Sequence, residues 1–220
     1  MREQCVVSEA ENNGKEPRAE DYSHLPKAGQ ALVSRFRSRF VQHVVLANPK
    51  SILEVGCGQG WLTAQIAQAL PSARVVGLDI RPQAIEYARS LCATAEFLVG
   101  DGAALPFNDS EFDLVVCSEV LEHVEDPQSV LDEMDRVGRG HAILSVPHEP
   151  WFWLTNLVRL RYLRTLGNCP GHIHHWTASS FRRMLSERYS RVQVENASFW
   201  LIAEVYQSAK GPDRQPQARV

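Results

Sequence analysis

The stretch Ser118-Glu119-Val120-Leu121-Glu122-His123 places two carboxylates and an imidazole within a few residues. An imidazole changes charge near neutral pH, which suits it to accept a proton from a reacting hydroxyl. If the segment continues as a helical turn, i,i+3 and i,i+4 spacing puts Glu119, Glu122 and His123 on one face. The bland alternative is a histidine that extends a helix and bonds to backbone. Upstream, Ile52-Leu53-Glu54-Val55 runs into Gly56-Cys57-Gly58-Gln59-Gly60, glycines at alternate positions that let the backbone turn sharply and lie close to a ligand. A dinucleotide fingerprint requires a glycine at 61, where this chain has Trp61, so a pyrophosphate is disfavoured. A ligand with an amino-acid end and a nucleoside fits the spacing better. Asp79 closes the run Val75-Val76-Gly77-Leu78, where its carboxylate can accept from both ribose hydroxyls; Asp101 follows Leu98-Val99-Gly100, suited to an exocyclic adenine amine.

These groups need a scaffold that brings strand ends together. After Asn48-Pro49, short apolar runs alternate with helical segments, the pattern of a parallel sheet covered on both faces. Strands are predicted at Ser51-Val55, Arg74-Leu78, Glu96-Val99, Leu114-Cys117 and Ala142-Val146, with helices at about 61–70, 82–92 and 127–137. Pro82 and Pro127 suit first helical positions, and Asp126 is an N-cap candidate. Leu32, Val33, Phe36, Phe40, Val44 and Val45 predict a packing helix from about Gln30 to Ala47, with Arg35, Arg37 and Arg39 toward solvent. A helix at about 177–188 and strands Arg191-Glu195 and Trp200-Val205 close the pattern. The fold class expected is α/β, a doubly wound, mostly parallel seven-stranded sheet with an insertion after the fifth strand. The domain is placed at 29–206, between a flexible arm at 1–28 and a disordered tail at 207–220.

With 220 residues, 44% of them hydrophobic, the chain suits one compact domain. Its net charge of -3 supplies no basic field, so a nucleic-acid partner is disfavoured. Five cysteines, odd in number and without a C-x-x-C pair, indicate neither a disulfide framework nor a zinc knuckle, and a cytoplasmic location fits. No signal segment or membrane span is expected.

Taken together, ILEVGCGQG, VVGLDI, GDGAALPFNDSEFDLVVCSEVLEHVEDP and SVP resemble the successive motifs of class I S-adenosylmethionine-dependent methyltransferases, over about residues 50–147. The resemblance implies S-adenosylmethionine as cofactor and S-adenosylhomocysteine as product. By position, Gly56, Gly58 and Gly60 would line the methionine portion and Glu54 would orient their loop. Asp79 would bind ribose and Ile80 would pack on adenine. Asp101 and Gly102 would hold the adenine edge, with Ser118 and Glu119 at the floor. His123 is the candidate base. The segment also resembles, in part, metal-dependent small-RNA 2′-O-methyltransferases and some ubiquinone-pathway O-methyltransferases, which implies Glu119, Glu122, His123 and His172 as candidate ligands of a divalent metal. The resemblance identifies the cofactor far better than the acceptor.

Residues 147–176 interrupt the alternation with Trp151, Phe152, Trp153, Arg159, Arg161, Arg164 and four histidines. Three readings stand: a lid over an apolar or anionic small-molecule acceptor, an interfacial element making peripheral membrane contact, or an extra packing layer. The expected function is methyl transfer to a small molecule, more readily an oxygen acceptor. The alternatives are a metal-dependent RNA 2′-O-methyltransferase and a noncatalytic nucleotide-binding scaffold.

Overall fold

The computed structural model describes residues 27–149 and 172–207. The first helix among the described residues, α1 (Lys27–Ala47), buries Val33, Phe36, Phe40 and Val44, the 3- and 4-residue spacing of one helical face. There follow β1 (Ser51–Val55), α2 (Trp61–Ala69), β2 (Arg74–Asp79), α3 (Pro82–Leu91), β3 (Glu96–Val99), β4 (Leu114–Ser118), α4 (Pro127–Val137), β5 (His141–Pro147), α5 (Ala178–Ser186), β6 (Arg191–Ala197) and β7 (Trp200–Tyr206). All seven expected strands are present, most of them a residue or two longer than the apolar runs that signalled them.

The strands form one sheet in the order β3-β2-β1-β4-β5-β7-β6. β1 to β5 are parallel; β7 runs antiparallel between β5 and β6. The chain starts in the middle, winds outward to β3, then returns to place β4 on the other side of β1. Helices leaving β1 and β4 therefore diverge, and the carboxyl ends of these strands flank a crevice where ligands of doubly wound sheets bind.

Side chains alternate across the sheet into two cores. On one face Leu53, Val55, Val115 and Leu144 meet α4 and α5 through Leu131, Met134, Phe181 and Leu185. On the other, Ile52, Val75, Val116 and Ile143 meet α1 and α2 through Phe40, Val44, Leu62 and Ile66. Both faces of the central strands are buried, as continuous Val/Ile/Leu runs require. Asp126 caps α4, its Oδ1 accepting from Gln128 N at 3.0 Å, with Pro127 in the first turn. Thr177 and Ser180 form a reciprocal capping box on α5. Among the described residues no helix is long and apolar enough to cross a membrane.

The arm at 1–28, save its last two residues, lies outside the described residues, as do the tail from 208 and the middle of the insertion, including Trp151, Phe152, Trp153, Arg159, Arg161 and Arg164. The two ends of the insertion are described: His148 and Trp176 form a bridge, and Glu149 N donates to Trp176 O at 2.9 Å.

Candidate active site

The glycine turn adopts the conformation its composition suggests. Gly56, Gly58 and Gly60 have φ of 74°, 56° and 78°, a region that costs residues with a Cβ. Space is also short: a Cβ on Gly60 would sit 2.8 Å from Ala88 Cβ and 2.9 Å from Phe97 Cε1, and one on Gly56 would overlap Val120 Cγ2 at 2.3 Å. The second contact shows that the turn lies directly against the segment that follows β4.

Two buried carboxylates hold the turn. Glu54 is 3% exposed and accepts from Thr63 Oγ1 at 2.5 Å, tying the end of β1 to the first turn of α2. Asp79 accepts from Gly58 N at 2.8 Å through Oδ2. Its Oδ1 accepts from Arg81 N at 2.9 Å and Arg81 Nε at 3.0 Å. Asp79 thus shapes the loop, and Arg81 shares its carboxylate. Burial, with Glu54 and Asp79 nearby, pushes the Cys57 thiol far up, so it stays protonated and is no nucleophile. Ile80, directly after β2, is 65% exposed. Asp101 accepts from Ala103 N at 2.9 Å and Gly102 packs against Val55, placing both beside the same edge.

Beyond β4 the structure departs from the helical turn expected. Glu119 has φ 58°, which breaks the chain direction, and residues 121–123 form a single turn closed by His123 N donating to Val120 O at 2.9 Å. Glu119, Glu122 and His123 therefore do not share a helical face. The Glu119 carboxylate accepts from Trp200 Nε1 at 2.8 Å and Ser145 Oγ at 3.3 Å; Ser145 in turn lies 2.9 Å from Ser118 Oγ. A non-glycine residue in this region costs about 1–3 kcal/mol, which these contacts offset.

Glu122 points elsewhere. It is fully buried, and neither carboxylate oxygen has a hydrogen-bond partner among the described residues. His123 Nε2 lies 4.0 Å from its Oε1. The His123 and His172 rings meet edge to face with centroids 4.9 Å apart, and one ligand atom from each of Glu122, His123 and His172 falls within 4.8 Å of the others. Burial, reinforced by the Glu119 charge, holds the Glu122 carboxyl well above the usual carboxylate range. Burial and repulsion from His123 and His175 push His172 down to about 3. The grouping takes in three of the four metal candidates and leaves Glu119 out of that close set, because Trp200 and Ser145 hold its carboxylate.

His172 reaches this place because its segment is stitched down. Ile173 N donates to Glu122 O at 2.9 Å, His174 Nε2 donates to Val124 O at 3.0 Å, and Trp176 lies over His174 at 5.6 Å between ring centroids. His175 Nδ1 is 3.5 Å from Glu149 Oε1.

Several contributors gave little sign in the sequence. Thr63 and Arg81 lie within ten residues of carboxylates already singled out and could have been sought there. Ser145 and Trp200 reach Glu119 only through strand order, which no local pattern encodes.

This sheet order, with a glycine turn after β1 and acids after β2 and β3, defines a nucleoside-binding methyltransferase fold. A methyltransferase-domain family matches residues 53–146. The demethylmenaquinone methyltransferase of Thermus thermophilus is 32% identical over 157 residues, which cover 68% of this chain and 70% of that protein. The chain belongs to the S-adenosylmethionine-dependent methyltransferase family. The malonyl-[acyl-carrier protein] O-methyltransferase of Hahella chejuensis is 32% identical over 54% of this chain and 41% of its own length. This chain thus spans about two fifths of that relative. Among solved structures, magnesium protoporphyrin IX methyltransferase from Synechocystis, with bound S-adenosylhomocysteine, superposes with a TM-score of 0.64 at 19% identity, covering 93% of this chain and 99% of that one. At that identity the likeness is one of fold.

Proposed function

We propose that this protein transfers the methyl group of S-adenosylmethionine to an oxygen of a small-molecule acceptor in the cytoplasm, with His123 taking the acceptor's proton. The observation that carries the reading is the contact between Gly56 and Val120, which seats the turn bearing Glu122 and His123 against the glycine loop. The glycine turn leaves no space for a side chain at positions 56 and 60, and Asp79 and Asp101 would offer acceptors in the order ribose, base. Bound there, the cofactor supplies an electrophilic methyl on a sulfonium. The chain's own part is alignment and removal of a proton. The free thiols of Cys57, Cys92 and Cys117 suit a reducing compartment.

A second reading is favoured by the buried Glu122 carboxylate set between two imidazoles: a divalent cation bound by Glu122, His123 and His172. A carboxylate and two neutral imidazoles are a common donor set for such ions, and a cation would relieve the cost of an ionised, unbonded Glu122. It would serve to hold and acidify an acceptor hydroxyl, for which a small molecule or an RNA 2′-hydroxyl would qualify.

Labelled S-adenosylmethionine incubated with fractionated metabolites, lipids and RNA tests the activity; absence of label transfer and of calorimetric cofactor binding refutes it. If His123 is the base, His123→Ala lowers kcat by about 10²–10⁴ with cofactor affinity kept and chelators without effect. If it is a ligand, Glu122→Gln, His123→Ala and His172→Gln each abolish stoichiometric metal by elemental analysis. Wild-type turnover by His123→Ala excludes both roles.

A further inference from the structure

Strand β7 contributes one side chain to the ligand edge that no cofactor or acceptor assignment uses. Trp200 begins β7 opposite Pro147 at the carboxyl end of β5, is 3% exposed, and donates its indole N–H to Glu119 Oε2 at 2.8 Å. Its other face is covered by Phe36 of α1, the rings stacked at 4.6 Å and 19°. The ring is therefore fixed before it meets Glu119. On the opposite side of the carboxylate, Ser145 donates to Oε1 at 3.3 Å and is itself 2.9 Å from Ser118. Between these anchors the Glu119 backbone is left-handed, and its N–H donates to Ser145 O at 3.1 Å. The four residues that follow carry Leu121 into the core and bring Glu122 and His123 to His172.

We propose that Trp200 is a positioning residue for methyl transfer: its N–H clamps the Glu119 carboxylate, which holds the left-handed turn that aims Glu122 and His123 at the acceptor. The proposal rests on the assignment of His123 to the reacting centre. The clamp also makes α1 part of the site's support, because Phe36 fixes the plane of the indole. A ring that merely filled volume would need no N–H directed at a carboxylate, and a carboxylate that merely met solvent would need no left-handed backbone.

The test uses the full chain and histidine-selective NMR, so it does not depend on knowing the acceptor. Trp200→Phe keeps the stack on Phe36 and deletes the donor. It is expected to move the ring resonances of His123 and His172. In a Glu119→Asn background, where the residue tolerates left-handed backbone by itself, the same Trp200→Phe change should leave those resonances in place. Equal displacement in both backgrounds would make Trp200 a packing residue and overturn the proposal, as would no displacement in the wild-type background. Should Trp200→Phe fail to fold, Ser145→Ala removes the carboxylate's other donor, with the same expected shift and the same cancellation by Glu119→Asn. His123→Ala turnover, by contrast, tests the assignment on which the proposal rests.

Discussion

The depressed basicity of His172 turns into a measurable dependence of stability on pH. In the folded protein the ring is held neutral down to about 3, by burial first and then by repulsion from His123 and His175, whereas an ordinary imidazole titrates near 6.5. A folded value below the unfolded one means that the unfolded chain binds the extra proton. Stability is therefore full above about pH 6.5 and falls as the pH drops toward 3. Each tenfold step in proton concentration costs about 1.4 kcal/mol once the unfolded ring is mostly protonated, so moving from pH 7 to pH 5 removes about 2 kcal/mol. That is a sizeable part of the 5–15 kcal/mol typical of a domain. Urea denaturation of the wild type and of His172→Gln at both pH values isolates the effect, since other titrating groups contribute to both proteins. The wild type should lose about 2 kcal/mol more than the variant on acidification. Parallel losses would refute the burial argument. Repeating the comparison with a divalent cation present should steepen the wild-type response if these side chains bind it, because protons then compete with the ion.

Further outcomes follow from the loop that would hold the cofactor. Asp79→Ala removes the acceptor of Gly58 N together with the acceptor proposed for the ribose hydroxyls, and calorimetry should show S-adenosylhomocysteine affinity lowered by about tenfold to a hundredfold. Gly60→Ala combines a left-handed backbone with a Cβ 2.8 Å from Ala88. It should cost about 2 kcal/mol or more in denaturation. Glu122→Gln should stabilise the metal-free protein as the pH rises, because a carboxyl whose folded value is raised loses stability above its unfolded value; a flat difference between pH 5 and pH 9 would show that Glu122 is not held protonated.

Much of the sheet edge that carries the proposed cofactor residues could be read from the sequence because it depends on local geometry. A strand followed by alternate glycines, and acids directly after apolar runs, constrain their own neighbours, so Gly56, Gly58, Gly60, Asp79 and Asp101 lie where the pattern placed them. The acceptor side was legible only in part. His172 was linked to His123 through a resemblance, and the two rings do meet, but Glu119 was grouped with them on an assumed helix. A helical turn needs right-handed φ, and Glu119 does not have it. The reason lies 81 residues away, in an indole brought alongside by the antiparallel return of β7. Strand order is a global property, and a pattern of residue types along one segment carries no record of it.

The insertion of β7 between β5 and β6 has a consequence for the order in which a growing chain can assemble. β1 to β5 can pair as they are made, yet β5 keeps an open edge while α5 and β6 are being synthesised, and β6 has no place in the sheet without β7. During vectorial synthesis the Val/Ile/Leu-rich edge of β5 is thus exposed to other nascent chains until Trp200–Tyr206 arrives, an aggregation hazard that a chaperone or slow translation would relieve. The same arrival delivers the partner of Glu119. Any nascent form lacking β7 can shape the glycine loop around β1 and β2 but has no indole to set the turn after β4, so ligand capture would precede catalytic competence in the life of each molecule.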